Sequence, residues 1–331
     1  MKKILALLVL LFAALACSFS EMTPPAAATP SAETQPPETA VEPVETQLTV
    51  PNEAANPTSG NSADSQIPIP LDVGMGTYKG LPLGLQDNGA PVVTAVDGVI
   101  GLVCIGMSNA SQECEDFIAK LGGEFAGQVN PQVRVVNCAV PGNAIEKWND
   151  PAYDKLWEKC IGQKIPQAGL RLEQIRVVWH KAADMFTTEA SGAAFPPYPD
   201  PNSDYFHFYE NLTMFAARLH EKLPSVQAVY VTSRSYGGFA AKESRGEPHS
   251  YEEGLALNQW LKDHPLVDGV WYGWGAYIWA PDCATGAVNA SGVCYERGDY
   301  RDDGIHPEQG ARDKISQMLH ERFSQFEWYQ P

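Results

Sequence analysis

The sequence predicts an α/β protein with a three-layer α/β/α sandwich around a mostly parallel, five-stranded sheet. Five short apolar runs alternate with segments of helical composition, and such alternation is typical of parallel sheets covered on both faces. The strands are expected at 99–105, 132–140, 174–179, 226–232 and 267–274, and the helices at 110–121, 152–161, 205–222, 251–263 and 308–326. A short antiparallel partner at 91–96 precedes the first strand across the Asp97-Gly98 turn.

The first 17 of the 331 residues have the composition of an export signal. Two lysines follow Met1, residues 4–15 are apolar, and small residues precede Cys17. The segment resembles a bacterial lipoprotein signal, in which Cys17 carries the lipid, although Ala14 and Leu15 stand in swapped order. The expected location is the bacterial cell envelope, with a lipid anchor in the membrane. The alternative is cleavage after Ala16 and secretion.

Residues 18–65 are rich in Pro, Ala, Thr and Glu, and they contain no Lys or Arg. Such a segment cannot bury enough apolar surface to offset its ordering entropy, so it is expected to be a disordered tether. Residues 66–331 remain as one domain with 33 acidic and 21 basic residues. This acidic balance argues against nucleic acid as a partner.

The seven cysteines suit an exported protein. If the first carries lipid, six are left for up to three disulfides. Cys283 with Cys294 is the favoured pair, and Cys138 with Cys160 is the second. Cys104 lies on a predicted core strand and is either a buried thiol or part of a third disulfide. No CxxC spacing is present, so a structural zinc site is not expected.

The first strand ends at Gly106 and is followed closely by Ser108, at the start of a predicted helix. A hydroxyl in this position lies beside backbone N–H groups that have no partner within the helix and that stabilise a developing anion. Ser108 is therefore a candidate nucleophile. The alternative is that Ser108 or Asn109 is only a helix N-cap.

Asp303 and His306 lie three residues apart in a glycine-containing loop, and Pro307 then begins the last helix. At this spacing the carboxylate can fold back onto the imidazole, fix its tautomer and stabilise its protonated form. The alternative is that Asp302 and Asp303 are turn residues and His306 is a surface residue.

Taken together, Ser108 after the first strand, Gly142 after the second and Asp303-x-x-His306-Pro307 before the last helix resemble the SGNH (GDSL-like) hydrolase superfamily. The resemblance covers about residues 92–325 and implies an SGNH/flavodoxin-like fold. It also implies that Ser108 is the nucleophile, His306 the general base and Asp303 its orienting acid. The backbone N–H groups of Ser108 and Gly142 would form the oxyanion hole.

Two blocks depart from the family pattern. Met107 and Asn109 flank Ser108, where the family commonly has Asp and Leu. The third strand lacks the family's Asn, but Trp179-x-Lys181 resembles the Trp-x-Gln of carbohydrate acetylesterase branches, with Lys in place of Gln. Lys181 is then a candidate oxyanion donor. Alternatively it points outward or pairs with Asp184, and Asn143 takes the donor role.

Aromatic residues follow the fifth strand, and Trp274, Tyr277 and Trp279 are candidates for a substrate wall because their rings can stack on sugars. Arg234, at the end of the fourth strand, either holds an anionic group of the substrate or braces its own turn.

These observations predict an exported serine esterase that removes small acyl groups, most of all acetyl, from carbohydrate. It would need no metal or organic cofactor, and it is expected to act as a monomer on a small-molecule or glycan ester. Two alternatives stay open: a non-catalytic glycan-binding protein with the same fold, and a lipase or thioesterase.

Overall fold

The computed structural model describes residues 84–185, 187–188 and 193–331. The predicted export signal (1–17), the lipidation site Cys17, the tether (18–65) and the first part of the predicted domain lie outside these residues. No helix within the described ranges is both long enough and apolar enough to cross a bilayer.

Six strands form one sheet in the order β2-β1-β3-β4-β6-β5. The strands are β1 (Ile100–Gly106), β2 (Val133–Asn137), β3 (Ile175–Lys181), β4 (Ala228–Thr232), β5 (Leu266–Val267) and β6 (Val270–Trp274). All neighbouring pairs are parallel except β5 with β6, which is antiparallel. The predicted α/β class with a mostly parallel sheet is therefore confirmed, with a sixth, two-residue strand at one edge.

Helices cover both faces of the sheet. They are α1 (Ser108–Leu121), α2 (Ile145–Asn149), α3 (Lys155–Lys159), α4 (Ile165–Gln167), α5 (Asp204–Lys222), α6 (His249–Asp263) and α7 (Gln309–Phe323). On one face, Phe323 of α7 packs edge-on against Tyr230 of β4, with ring centroids 5.1 Å apart. On the other, Phe215 of α5 stacks on His180 of β3 at 3.7 Å. The core is thus divided into two apolar layers.

Two Asp-Gly turns lie where the observed strand ends differ from the predicted ones. Asp97 and Gly98 have positive φ values of 50° and 72°, as the predicted hairpin requires, but only one bridge, Val96 with Val99, pairs across the turn. Pairing stops there because the Thr94 N–H donates to Gln227 Oε1 (2.8 Å) instead. A second Asp-Gly turn at 268–269 divides the predicted fifth strand into β5 and β6.

In place of one regular helix at 152–161, the chain forms a 3₁₀ turn at Pro151–Tyr153, helix α3, a π-helical turn at Cys160–Lys164 and helix α4. A disulfide between Cys138 and Cys160 fixes this region to the end of β2.

The structure contains both favoured disulfide pairs and a third. Cys283 bonds to Cys294, and Cys138 bonds to Cys160. Cys104 of β1 bonds to Cys114 of α1, so Cys104 is not a buried thiol. This third bond ties the central strand to the helix that follows it.

Buried carboxylates form a cluster between the end of β3 and helices α5 and α6. Asp184, Asp204, Glu252 and Glu253 are at most 1% exposed. Arg234 Nε lies 2.8 Å from Glu253 Oε1, and the same guanidinium also attracts the carboxylates of Asp204 and Asp184. Burial raises the pKa of Asp204 to about 7 and that of Glu252 to about 8. The cluster therefore binds protons at pH values where exposed carboxylates have lost them.

We expect Glu252→Gln to stabilise the fold at alkaline pH. The unfolded carboxyl ionises near pH 4.5 and the folded one near 8, so wild-type stability falls as pH rises between these values. Glutamine retains an oxygen to accept the Tyr198 N–H, which bonds Glu252 Oε1 at 2.8 Å. Urea unfolding is expected to show no gain at pH 4 and a gain of more than about 1 kcal/mol at pH 8.

The matched control is Glu210→Gln, which changes an exposed carboxylate on α5. If the stability difference between Glu252→Gln and wild type were the same at pH 4 and pH 8, the raised pKa would be disproved.

Candidate active site

Gly106 places Ser108 at the carboxyl end of the sheet. The φ of Gly106 is 147°, and an added Cβ would lie 2.6 Å from both Lys181 O and Ala110 Cβ, so no other residue fits. The chain turns there, and α1 begins at Ser108. The half-buried hydroxyl of Ser108 thus lies at a helix N-terminus, where the first N–H groups have no partner within the helix.

Ser108, His306 and Asp303 form a continuous hydrogen-bonded chain. Ser108 Oγ lies 2.8 Å from His306 Nε2. On the other side of the ring, His306 Nδ1 bonds Asp303 Oδ2. The structure therefore brings together the three residues for which the sequence predicted catalytic roles.

The protonation states follow from the surroundings of Asp303. Burial alone would raise its pKa, but hydrogen bonds from the backbone and ring of His306 and from the Ile305 N–H together lower that pKa to about 2. An ionised carboxylate can only accept, so Nδ1 carries the imidazole proton. Nε2 is left as an acceptor for the Ser108 hydroxyl, which is the arrangement a general base needs.

The loop that carries Asp303 and His306 is fixed by Gly304 and Asn109. Gly304 has a φ of 69°, and a Cβ at this position would lie 1.7 Å from Phe239 O. Asn109 Nδ2 donates to Ile305 O (2.9 Å), which joins α1 to the loop. Neither role was predicted, although the glycine between Asp303 and His306 is visible in the sequence.

Ser108 and His306 open into a cleft of about 290 Å³. Its lining residues are Met107, Ser108, Asn109, Pro141, Gly142, Asp184, Met185, Arg234, Arg245, Ile305 and His306. Gly142, predicted as an oxyanion donor, is among them. Its N–H makes no hydrogen bond to any residue in the described part of the chain, whereas the Asn143 amide donates to Pro141 O (2.9 Å) within its own turn.

A smaller pocket of about 40 Å³, which we call the inner pocket, adjoins the cleft. It shares Met107, Asn109, Arg234, Arg245 and Ile305 with the cleft, and its remaining walls include Ala183 and Tyr236. Most of this lining is apolar, so the pocket suits a small apolar group bound next to Ser108.

Lys181 lines the inner pocket but not the cleft that contains Ser108, and its ammonium is paired within the protein, so the structure does not support its predicted role as an oxyanion donor. The side chain is 4% exposed, and its Nζ bonds Oε1 of Glu113, which is 0% exposed on α1. Burial raises the pKa of Glu113 and lowers that of Lys181, and their mutual attraction opposes both shifts. Lys181 thus fixes α1 to β3. No local pattern in the sequence indicates this partner.

Trp274, Tyr277 and Trp279 are only 1%, 7% and 2% exposed, so they do not form a substrate wall. Their polar atoms explain the burial: Trp274 Nε1 donates to Asn258 Oδ1 (2.8 Å), and Trp279 Nε1 donates to Glu247 Oε1 (2.9 Å). Indoles with internal acceptors can be buried completely at little cost.

Arg234 does line the cleft, but its guanidinium is already engaged. It forms an ion pair with Glu253, and Nη2 donates to the backbone oxygen of Asp184. Of the two roles left open by the sequence, bracing of the local structure therefore has the better support.

Within the described residues, no group of His, Cys, Asp and Glu side chains is arranged to hold a metal ion.

We expect Lys181→Met to destabilise the fold, because it leaves the carboxyl of Glu113 buried without its cation. The free energy of unfolding in urea is expected to fall by about 3 kcal/mol. The double variant Lys181→Met/Glu113→Leu removes both charges and is expected to recover more than half of that loss. A double variant as unstable as the single one would contradict this interpretation.

We expect Gly304→Ala to displace the loop that holds Asp303 and His306. Labelling of Ser108 by a fluorophosphonate is expected to slow about a hundredfold, because small displacements of reacting groups are costly. Gly298→Ala is the control, since a Cβ there meets nothing within 4 Å. Mass spectrometry of the labelled serine measures both rates, and unchanged labelling of Gly304→Ala would show that the loop tolerates the side chain.

No protein-family model matches the sequence, and no curated protein matches it. Solved structures do match. A lipase/acylhydrolase from Enterococcus faecalis is 14% identical, with 69% of this chain and 96% of that chain covered and a TM-score of 0.38. A protein identified as a GDSL-like lipase, from Parabacteroides merdae, is 15% identical (70% and 98% covered, TM-score 0.40). A variant of an acetyl-xylooligosaccharide esterase from Geobacillus is 13% identical (70% and 97% covered, TM-score 0.40). In fold, this chain is similar to these GDSL-type lipases, acylhydrolases and esterases.

Proposed function

We propose that this protein is a serine ester hydrolase that removes short acyl groups, most of all acetyl, from carbohydrate. The observation that carries the proposal is the hydrogen-bonded chain from Ser108 through His306 to an ionised Asp303. A helix cap or a surface histidine would not require this alignment of three side chains.

The reaction proceeds by two acyl transfers. Ser108 Oγ attacks the ester carbonyl while His306 Nε2 takes its proton, and the resulting imidazolium then protonates the departing alcohol. Water attacks the acyl-enzyme with His306 again acting as base, which releases the acid and restores Ser108. Asp303 keeps its charge throughout and stabilises the imidazolium.

The negative charge on the tetrahedral intermediates is stabilised by backbone N–H groups. Gly142 and Ser108 line the same cleft, and the positive end of the α1 dipole lies at Ser108. Lys181 has no part in this step because its ammonium is paired with Glu113.

The size of the inner pocket favours a short acyl group. A volume of about 40 Å³ accommodates about three water-sized groups, which suits the methyl group of an acetyl ester whose carbonyl lies in the cleft beside Ser108. Long acyl chains would need a much larger apolar channel, and this counts against the lipase alternative. The adjoining cleft also has polar walls, among them Asn109, Arg245 and Asp184, and these suit a hydroxyl-rich alcohol such as a sugar.

The cellular location belongs to the same proposal. The protein is exported and held in the bacterial cell envelope by lipid on Cys17, as the first residues of the sequence predict. Its substrates are then glycan esters outside the cytoplasm.

Hydrolysis of para-nitrophenyl acetate by the purified protein tests the reaction. Ser108→Ala and His306→Ala are each expected to lose about 10⁴-fold or more in kcat, and the double variant is expected to lose no more than either, because the two residues act as a unit. Ser111→Ala, on the same helix but outside the cleft, is the control. Equal rates in wild type and Ser108→Ala would refute the proposed nucleophile and favour the glycan-binding alternative.

The acyl specificity is tested with para-nitrophenyl butyrate and octanoate. We expect kcat/KM for acetate to exceed that for octanoate by tenfold or more, because the inner pocket is too small for the longer chain. A preference for octanoate would support the lipase alternative.

A further inference from the structure

We propose that Arg245 is a specificity-determining residue that binds a carboxylate on the substrate, so that the protein acts on acylated sugar acids. This inference rests on the proposed esterase function. It concerns the alcohol part of the ester, which the acyl pocket and the catalytic residues leave undefined.

Arg245 is positioned where it can contact both parts of an ester. It ends the short helical segment Glu243–Arg245, between β4 and α6. Its side chain is half-buried and lines the cleft that contains Ser108 and His306, and it also lines the inner pocket. An anion bound to this guanidinium would therefore lie in the same cleft as the scissile ester.

The other permanent cations of the two cavities already have carboxylate partners inside the protein. Lys181 is paired with Glu113, and Arg234 is paired with Glu253. The guanidinium of Arg245, in contrast, makes no hydrogen bond or ion pair with any residue of the ranges that the structure describes. It is therefore available to pair with an anion on a substrate that enters the cleft.

Asp184, the acidic residue among the described lining of the cleft, does not serve as a counter-ion for Arg245. Asp184 Oδ1 accepts a hydrogen bond from Asn211 Nδ2 (2.9 Å), so the carboxyl is held against α5. Burial, followed by the nearby Asp204, raises the pKa of Asp184 well above its usual range and favours the uncharged form. The charge of Arg245 is thus available to a ligand.

A carboxylate is the ligand that suits this residue. Its two oxygens match the planar fork of a guanidinium, and this geometry gives direction as well as charge. In a protein with a formal net charge of −17, most of the surface repels anions, so a local cation in the cleft also discriminates between substrates.

The experiment compares monoacetylated methyl glucuronoside with monoacetylated methyl glucoside, which differ by the carboxylate. We expect wild type to favour the glucuronoside in kcat/KM by about tenfold or more. Arg245→Gln is expected to lose this preference, mainly through a KM that rises more for the glucuronoside than for the glucoside. Arg245→Lys is expected to retain part of it, because the charge remains without the fork.

Lys242→Gln is the matched control, because it removes one positive charge from an exposed position of the same loop. It is expected to keep the full preference. An Arg245→Gln variant that kept the wild-type preference, or a wild type with none, would overturn the inference. The same preparations are also assayed with para-nitrophenyl acetate, which contains no sugar. If the esterase proposal were wrong, neither this ester nor the acetylated glycosides would be hydrolysed. If only the inference about Arg245 were wrong, all of these esters would still be hydrolysed.

Discussion

The carboxylate of Asp303 organises the loop on which the proposed catalytic arrangement depends. Three donors converge on it: the backbone N–H groups of Ile305 (2.9 Å) and His306 (3.0 Å), and His306 Nδ1. These bonds keep Asp303 ionised, fix the imidazole tautomer and direct Nε2 at Ser108. The loop can adopt this conformation only because Gly304 accepts a positive φ next to Phe239.

The charged and ionisable groups around the cleft are of two kinds: cations paired with buried carboxylates, and side chains that face the cleft. Lys181 and Arg234 were both plausible ligand-binding cations, yet each is neutralised by a glutamate from the neighbouring helix, α1 or α6. Such buried pairs contribute little net stability but cost much when broken, so they constrain the position of the elements that carry them. Among the described basic residues of the cleft, His306 is left for the proposed proton transfer and Arg245 for the proposed recognition.

Much of the fold was predictable, because strands, Asp-Gly turns and the Asp303–His306 loop are encoded over a few neighbouring residues. The position of Ser108 at a helix start was predictable for the same reason, since a buried strand, a glycine and a helix start are all local signals. The errors concern side chains whose environment is set by distant segments. Trp274 and Trp279 find internal acceptors in Asn258 and Glu247, and no spacing in the sequence reveals such pairs.

The Cys104–Cys114 disulfide bears on when the proposed active site is fully formed. The ten-residue separation between these cysteines includes Gly106 and Ser108, so the proposed nucleophile lies inside a covalent ring that spans β1 and α1. Disulfides persist in oxidising compartments and are rare in the cytosol. Under the proposed export, the ring would close only after the chain has crossed the membrane, and the newly synthesised chain would lack this restraint on Ser108 while it is in the cytoplasm.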